Sequence, residues 1–226
     1  MMRTIQYSFP SKADGLEISC LAVVPELGRD EKYKGIIQIV HGMSEYKERY
    51  LPFMEYMAER KYVSVIHDHR GHGKSVRSKE DLGYMYGGGA DAMLQDIHTV
   101  NCLIRDHFPE LPLILFGHSM GSLAVRAYAA HHDGCMDMLI CGSPSYNVLR
   151  PVGVALAKAE KTVFGPKHSA GLIEMMSFGS YAMRFKKEKN RFSWICSDPQ
   201  VVKDYSDSEY CGFTFTDDAY LALFDL

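Results

Sequence analysis

The sequence predicts an α/β fold in which a mainly parallel sheet is flanked by helices and covered by a helical cap. Three observations predict it. Short, almost continuously apolar runs alternate with longer amphipathic stretches, the pattern of parallel strands joined by helical crossovers. One such run, residues 113–116, opens directly into Gly117-His118-Ser119-Met120-Gly121 and then a helical pattern. From residue 145 onward the strand-like runs stop and helical stretches take over. The 226 residues, 46% of them hydrophobic, suffice for one such domain with an insertion.

Taken in order, residues 4–9 and 16–24 alternate around a turn at Asp14-Gly15, which predicts an antiparallel hairpin with one wet face. Residues 35–40 read Gly35-Ile36-Ile37-Gln38-Ile39-Val40, as expected of a strand buried on both faces. Residues 50–60 place Leu51, Phe53, Met54, Met57 and Ala58 at helical spacing, and residues 62–66 form another buried strand. Residues 90–107 set Met93, Leu94, Ile97, Val100 and Ile104 on one helix face, and Phe108-Pro109 ends that helix. The strand 113–116 and a helix over 120–132 flank Ser119. Residues 136–141 form one more strand. Helical stretches at 152–163 and 170–185 follow. The boundary falls near residues 144–147, which gives a core of residues 1–144 and a cap of residues 145–226.

Composition excludes several classes. A net charge of −3 gives nucleic acid no footing, and the basic run at 184–189 reads as a solvated helix end. The first residues lack the apolar core of a signal peptide, and no run approaches the roughly 20 apolar residues of a transmembrane segment. The six cysteines show neither C-x-x-C nor a metal-like Cys/His spacing. Buried free thiols in a reducing, cytoplasmic setting are expected, with no metal and no cofactor. Gly87-Gly88-Gly89 lacks the Gly-Lys-Ser/Thr ending of a phosphate loop and reads as a connector.

In G-x-S-x-G the small residues at minus two and plus two let a strand and a helix approach closely. The serine then sits on a sharp, strained turn with its hydroxyl exposed, as a nucleophile requires. Two further motifs follow strands: His41-Gly42-Met43-Ser44-Glu45-Tyr46 after 35–40, and Asp68-His69-Arg70-Gly71-His72-Gly73-Lys74-Ser75 after 62–66. Together these ordered motifs closely resemble the monoacylglycerol lipase and lysophospholipase-like, serine aminopeptidase S33-type branch of the α/β-hydrolase superfamily. The resemblance runs from about residue 16 to residue 215 and includes Cys211-Gly212-Phe213-Thr214-Phe215 at its end.

The resemblance implies an α/β-hydrolase fold. It also implies a serine hydrolase that cleaves small-molecule carboxylic esters with an acyl chain, such as a monoacylglycerol or lysophospholipid, through an acyl-enzyme. A peptidase or thioesterase on the same scaffold is the enzymatic alternative. Ser119 is then the nucleophile, and the backbone amides of Met43 and Met120 form the oxyanion hole. His41, Gly42, Gly117, His118 and Gly121 support these loops, and His69 and His72 are expected to hydrogen-bond theirs. Leu172, Ile173, Met175, Met176, Phe178, Tyr181, Met183 and Phe185 line an acyl-chain tunnel or form ordinary cap core; both readings stay open. Transient contact with a membrane surface fits such a substrate.

In the related hydrolases the acid and the histidine follow the serine. The histidines after Ser119 are His131, His132 and His168. The first two lie roughly 18 Å along the following helix. His168 falls in a cap loop that would have to swing inward. Asp137 precedes its strand, at the wrong end of a parallel sheet. Asp198, Asp204, Asp207, Asp217 and Asp218 fall in the cap. The acid and base of a triad are therefore unassigned. The resemblance implies two more strands after the cap, so the last strands of the fold are expected to be missing and the chain to be C-terminally truncated. Strand 136–141 is then an open apolar edge that invites self-association. A non-catalytic remnant that binds lipid or a partner is the alternative of a different class.

Overall fold

The computed structural model describes residues 1–142 and 149–226. Among them, six strands form one sheet in the order β1-β2-β4-β3-β5-β6. β1 (Met2–Pro10) and β2 (Glu17–Pro25) make the expected antiparallel hairpin. Its turn is held by Asp14, whose Oδ1 accepts from the Leu16 N–H at 3.1 Å. β1 departs from the expectation of a single wet face. It is an edge strand of the sheet: Phe9 is buried, Met2 and Tyr7 are partly buried against the core, and the rest of the strand is exposed.

β2 pairs antiparallel with β4 (Tyr62–His67), and the rest of the sheet is parallel through β3 (Gly35–Val40), β5 (Leu113–His118) and β6 (Met138–Gly142). Every residue of β3 is buried, as its nearly continuous apolar run requires of a central strand, and the one polar side chain, Gln38, donates to Ile97 O at 2.9 Å. α1 (Leu51–Ala58) covers one face, packing Met54 and Ala58 against Leu21, Val23, Ile37 and Ile66. α2 (Gly89–His107) and α3 (Met120–Ala129) cover the other with Met93, Ile97, Val100, Ala124 and Val125. α3 ends three residues before the predicted 132, because the chain turns there into a short 3-10 segment at Asp133–Cys135.

The predicted helices of the second part are α4 (Arg150–Phe164) and α5 (Gly171–Arg184). Two more, α6 (Pro199–Asp207) and α7 (Asp217–Asp225), were not anticipated. Their starts carried a signal: Asp198 caps α6 by accepting from Gln200 N–H at 2.8 Å, and Thr216 caps α7 by accepting from Ala219 N–H at 3.3 Å. α7 packs on α4 and α2, and Phe215, Ala219, Tyr220 and Ala222 join the same buried cluster as the sheet. The boundary expected near residues 144–147 lies outside the described residues.

All six cysteines are free thiols, but only Cys20 and Cys211 are buried. This corrects the expectation of buried thiols: Cys102 lies on the outer face of α2 and Cys141 on the edge strand β6. No helix among the described residues is long and apolar enough to cross a membrane.

Candidate active site

Ser119 sits at the junction of β5 and α3, with φ 52° and ψ −121°. A non-glycine residue held in this region carries about 1–3 kcal/mol of strain, so its surroundings must over-determine it. They do. A Cβ on Gly117 would come within 2.6 Å of the Gly121 carbonyl oxygen and of Val125. A Cβ on Gly121 would come within 2.0 Å of the Val40 carbonyl oxygen. The strand end, the turn and the first turn of α3 therefore touch backbone to backbone. The Ser119 N–H donates to Gly142 O at 2.7 Å, and its carbonyl accepts from Ser122 N–H at 2.9 Å.

The loop after β3 lies against this turn. A Cβ on Gly42 would stand 3.1 Å from Ser119 Cβ. Two backbone N–H groups beside the serine have no acceptor among the described residues: those of Met43 and of Met120. Met120 opens α3, so its own N–H has no intrahelical acceptor, and the helix dipole favours negative charge there.

Glu45 holds the loop. It is buried and accepts from Gly42 N–H at 2.6 Å, from Tyr50 Oη–H at 2.9 Å, and from Arg49. His118 Nδ1 approaches it at 3.3 Å, and the His118 ring is half exposed. Burial alone would raise the Glu45 carboxyl. The His118 hydrogen bond and the Arg49 charge outweigh it and bring the pKa down to about 2.

His41 is fully buried. Its Nε2 accepts from His69 N–H at 3.0 Å, which leaves Nδ1–H to donate to Gly42 O at 2.8 Å. The tautomer is set by these two bonds. His69 Nε2–H donates to His41 O at 3.1 Å. His72 Nε2 accepts from Ser44 N–H at 3.2 Å, and its Nδ1–H donates to Arg70 O at 3.0 Å. The loops after β3 and β4 are thus sewn together by neutral imidazoles. Burial is the main reason that His41 and His69 lie well below the ordinary histidine value and that His72 falls to about 4.

A cavity of about 370 Å³ opens over Ser119. Met43 and Ser44 line its base, Glu174, Met175 and Phe178 of α5 one wall, and residues from Arg191 to Thr214 the other. Of the apolar cap residues singled out in the sequence, Met175 and Phe178 line it. Ile173 is buried, Leu172, Met176, Met183 and Phe185 are exposed, and Tyr181, also exposed, stacks on Trp194 of the cavity wall at 5.2 Å.

Sequence reasoning missed Ser44 as a hub. Its Oγ–H donates to Phe213 O at 2.7 Å, and its carbonyl accepts from Gly212 N–H at 3.0 Å and from Tyr205 Oη–H at 2.8 Å. Its φ of 54° within His41-Gly42-Met43-Ser44 was not readable from pattern.

All ten histidines are described, and none hydrogen-bonds the Ser119 hydroxyl. His168 Nδ1–H donates instead to Asp217 at 2.8 Å. Asp137 stands at the opposite end of the sheet, where it accepts from Leu113 N–H at 2.7 Å.

A family model described as serine aminopeptidase, S33, matches residues 31–226. The chain is 30% identical to the monoacylglycerol lipase of Mycolicibacterium smegmatis over 132 residues, 57% of this chain and 45% of that protein. It is 28% identical to the monoglyceride lipase of Rattus norvegicus over 175 residues, 74% of this chain and 52% of that protein. The chain thus spans about half the length of the curated relatives it matches. Among solved structures, a thermostable carboxyl esterase from Bacillus coagulans, in complex with glycerol, superposes with a TM-score of 0.85 at 29% identity, covering 99% of this chain and 72% of that one. Matched over most of its length by the family model, this chain belongs to the serine aminopeptidase S33 family of α/β-hydrolases.

Proposed function

We propose that the chain is an ester hydrolase that takes small acyl esters, of which a monoacylglycerol is the type, through an acyl-enzyme on Ser119. The observation that carries this is the strained Ser119 at the base of a largely apolar cavity, with two free amides beside it. In this reading the Met43 and Met120 N–H groups bind the oxyanion. One such donor is worth about 3 to 4 kcal/mol of transition-state stabilisation. Gly42 leaves room for the carbonyl to approach. His41, His118, Gly117 and Gly121 fix the two loops. The acyl chain runs between Met175 and Phe178, with α5 and residues from Arg191 to Thr214 acting as the cap over Ser119. The relatives that bear lipase and esterase names support the ester class.

A second reading has its own observation. No histidine of the chain bonds the Ser119 hydroxyl, so the chain would bind an acyl ligand without turning it over. One experiment separates the two. Hydrolysis of a short-chain nitrophenyl ester and of a monoacylglycerol is measured for the 226-residue chain and for Ser119→Ala. Turnover of enzymatic size that vanishes in Ser119→Ala supports the hydrolase. Equal rates, no more than the 10³ to 10⁴-fold enhancement that binding and an oxyanion hole leave on their own, support the binding protein.

A further inference from the structure

We propose that Glu160, His168 and Asp217 bind one divalent transition-metal ion, for which Zn²⁺ is the fitting probe, and that this ion clamps the end of α4 to the start of α7. One ligand atom from each of the three lies within 4.8 Å of the other two. They come from three places in the fold: the last turns of α4, the loop between α4 and α5, and the first residue of α7.

Asp217 is fully buried. Its Oδ2 accepts from His168 Nδ1–H at 2.8 Å, and its Oδ1 has no hydrogen-bond partner. Oε2 of Glu160 is also buried without a partner. A buried carboxylate oxygen with no donor is unfavourable, and two acids side by side call for a proton or a cation between them. Lys161 does not fill this role, because its ammonium sits on Asp218 Oδ1 at 2.8 Å.

One imidazole nitrogen and two carboxylate oxygens make a donor set that zinc accepts. Bonds of about 2.0–2.2 Å put such ligand atoms roughly 3 to 3.5 Å apart. The His168–Asp217 pair already stands near that spacing. The ion would take the place of the His168 Nδ1 proton, which leaves to solvent. Glu160 and His168 are partly exposed, so water can complete the coordination. Phe164 stacks on the His168 ring at 4.6 Å and fixes its orientation.

The corner is also ordered by backbone bonds, from Asp217 N–H to His168 O at 3.0 Å and from Ala170 N–H to Phe215 O at 2.9 Å. None of the three residues lines the cavity over Ser119, but their close neighbours Gly171 and Thr214 do. The ion's role is therefore to hold the cavity wall in place and not to take part in chemistry.

The test titrates the chelator-stripped 226-residue chain with Zn²⁺ by calorimetry and follows its Tm. One equivalent should bind, release a proton and raise the Tm by mass action. Glu160→Gln and His168→Gln should each weaken binding by at least about tenfold. Cys102→Ser, which removes the thiol beside His98, should leave binding unchanged. No binding at millimolar Zn²⁺, or binding lost in Cys102→Ser, overturns the proposal. So does a Glu160→Gln chain that binds Zn²⁺ as before and melts higher in chelator, since that would mean a shared proton. Should His168→Gln fail to fold, Glu160→Gln, at a partly exposed side chain, decides alone.

Discussion

At Ser119 the fold trades backbone ease for an exposed hydroxyl. The trade holds only because Gly117 and Gly121 let β5, β3 and α3 meet without side chains between them. This makes Gly121 the sharpest single test. A methyl group there would stand 2.0 Å from the Val40 carbonyl and 2.5 Å from the His41 carbonyl, both fixed backbone atoms at the end of β3. Gly121→Ala should therefore push α3 off the sheet and lower stability by roughly 3 kcal/mol, the upper range of overpacking. Gly134→Ala meets nothing within 4 Å and should stay within about 0.5 kcal/mol of the parent. Urea midpoints of the two variants, measured side by side, check both. Equal midpoints would show that the elbow does not depend on backbone contact.

The two loops that follow β3 and β4 act as one element, joined by a layer of buried imidazoles. His41, His67, His69 and His72 are all fully buried. His67 makes no hydrogen bond through either ring nitrogen. Burial brings it down to about 3, and His72 to about 4. The sign of the pH dependence follows. Below about pH 6.5 the unfolded chain takes up protons that these rings refuse, so stability falls as pH drops from 6.5 toward 4. Each such histidine contributes a slope of about 1.4 kcal/mol per pH unit across that window. Urea midpoints at pH 7, 6 and 5 should decline steeply. His67→Phe, which removes one such ring without breaking a hydrogen bond, should make the decline shallower. A midpoint that is flat from pH 7 to 5 would contradict the layer's neutrality.

At the scale of the whole 226-residue chain, the sheet among the described residues ends on β6. There its strand neighbour lies on one side only, and Met138, Leu139 and Ile140 are 53%, 37% and 42% exposed. An apolar edge with unpaired backbone groups is a template for another chain. We expect the protein to self-associate with rising concentration and Ile140→Lys to shift it toward monomer, with sedimentation velocity as the measure. An unchanged distribution would place any association elsewhere. The same edge ties the molecule to its site, since Gly142 at the end of β6 accepts the Ser119 N–H.

The sequence alone determined the alternation of strand and helix, the position of Ser119 between them, and the family. Each depends on local periodicity or on small residues at set spacing, such as Gly117 and Gly121. What it did not carry was anything assembled from distant segments. Ser44 gains its role from Tyr205, Gly212 and Phe213, and α7 returns to the sheet's core although it lies at the end of the helical part. Glu160, His168 and Asp217 show no metal-like spacing in the chain, because α4, a loop and α7 supply one ligand each. The pairing of His168 with Asp217 was equally invisible. Periodicity reports which face of an element is buried, whereas packing between α4 and α7 decides which buried groups meet.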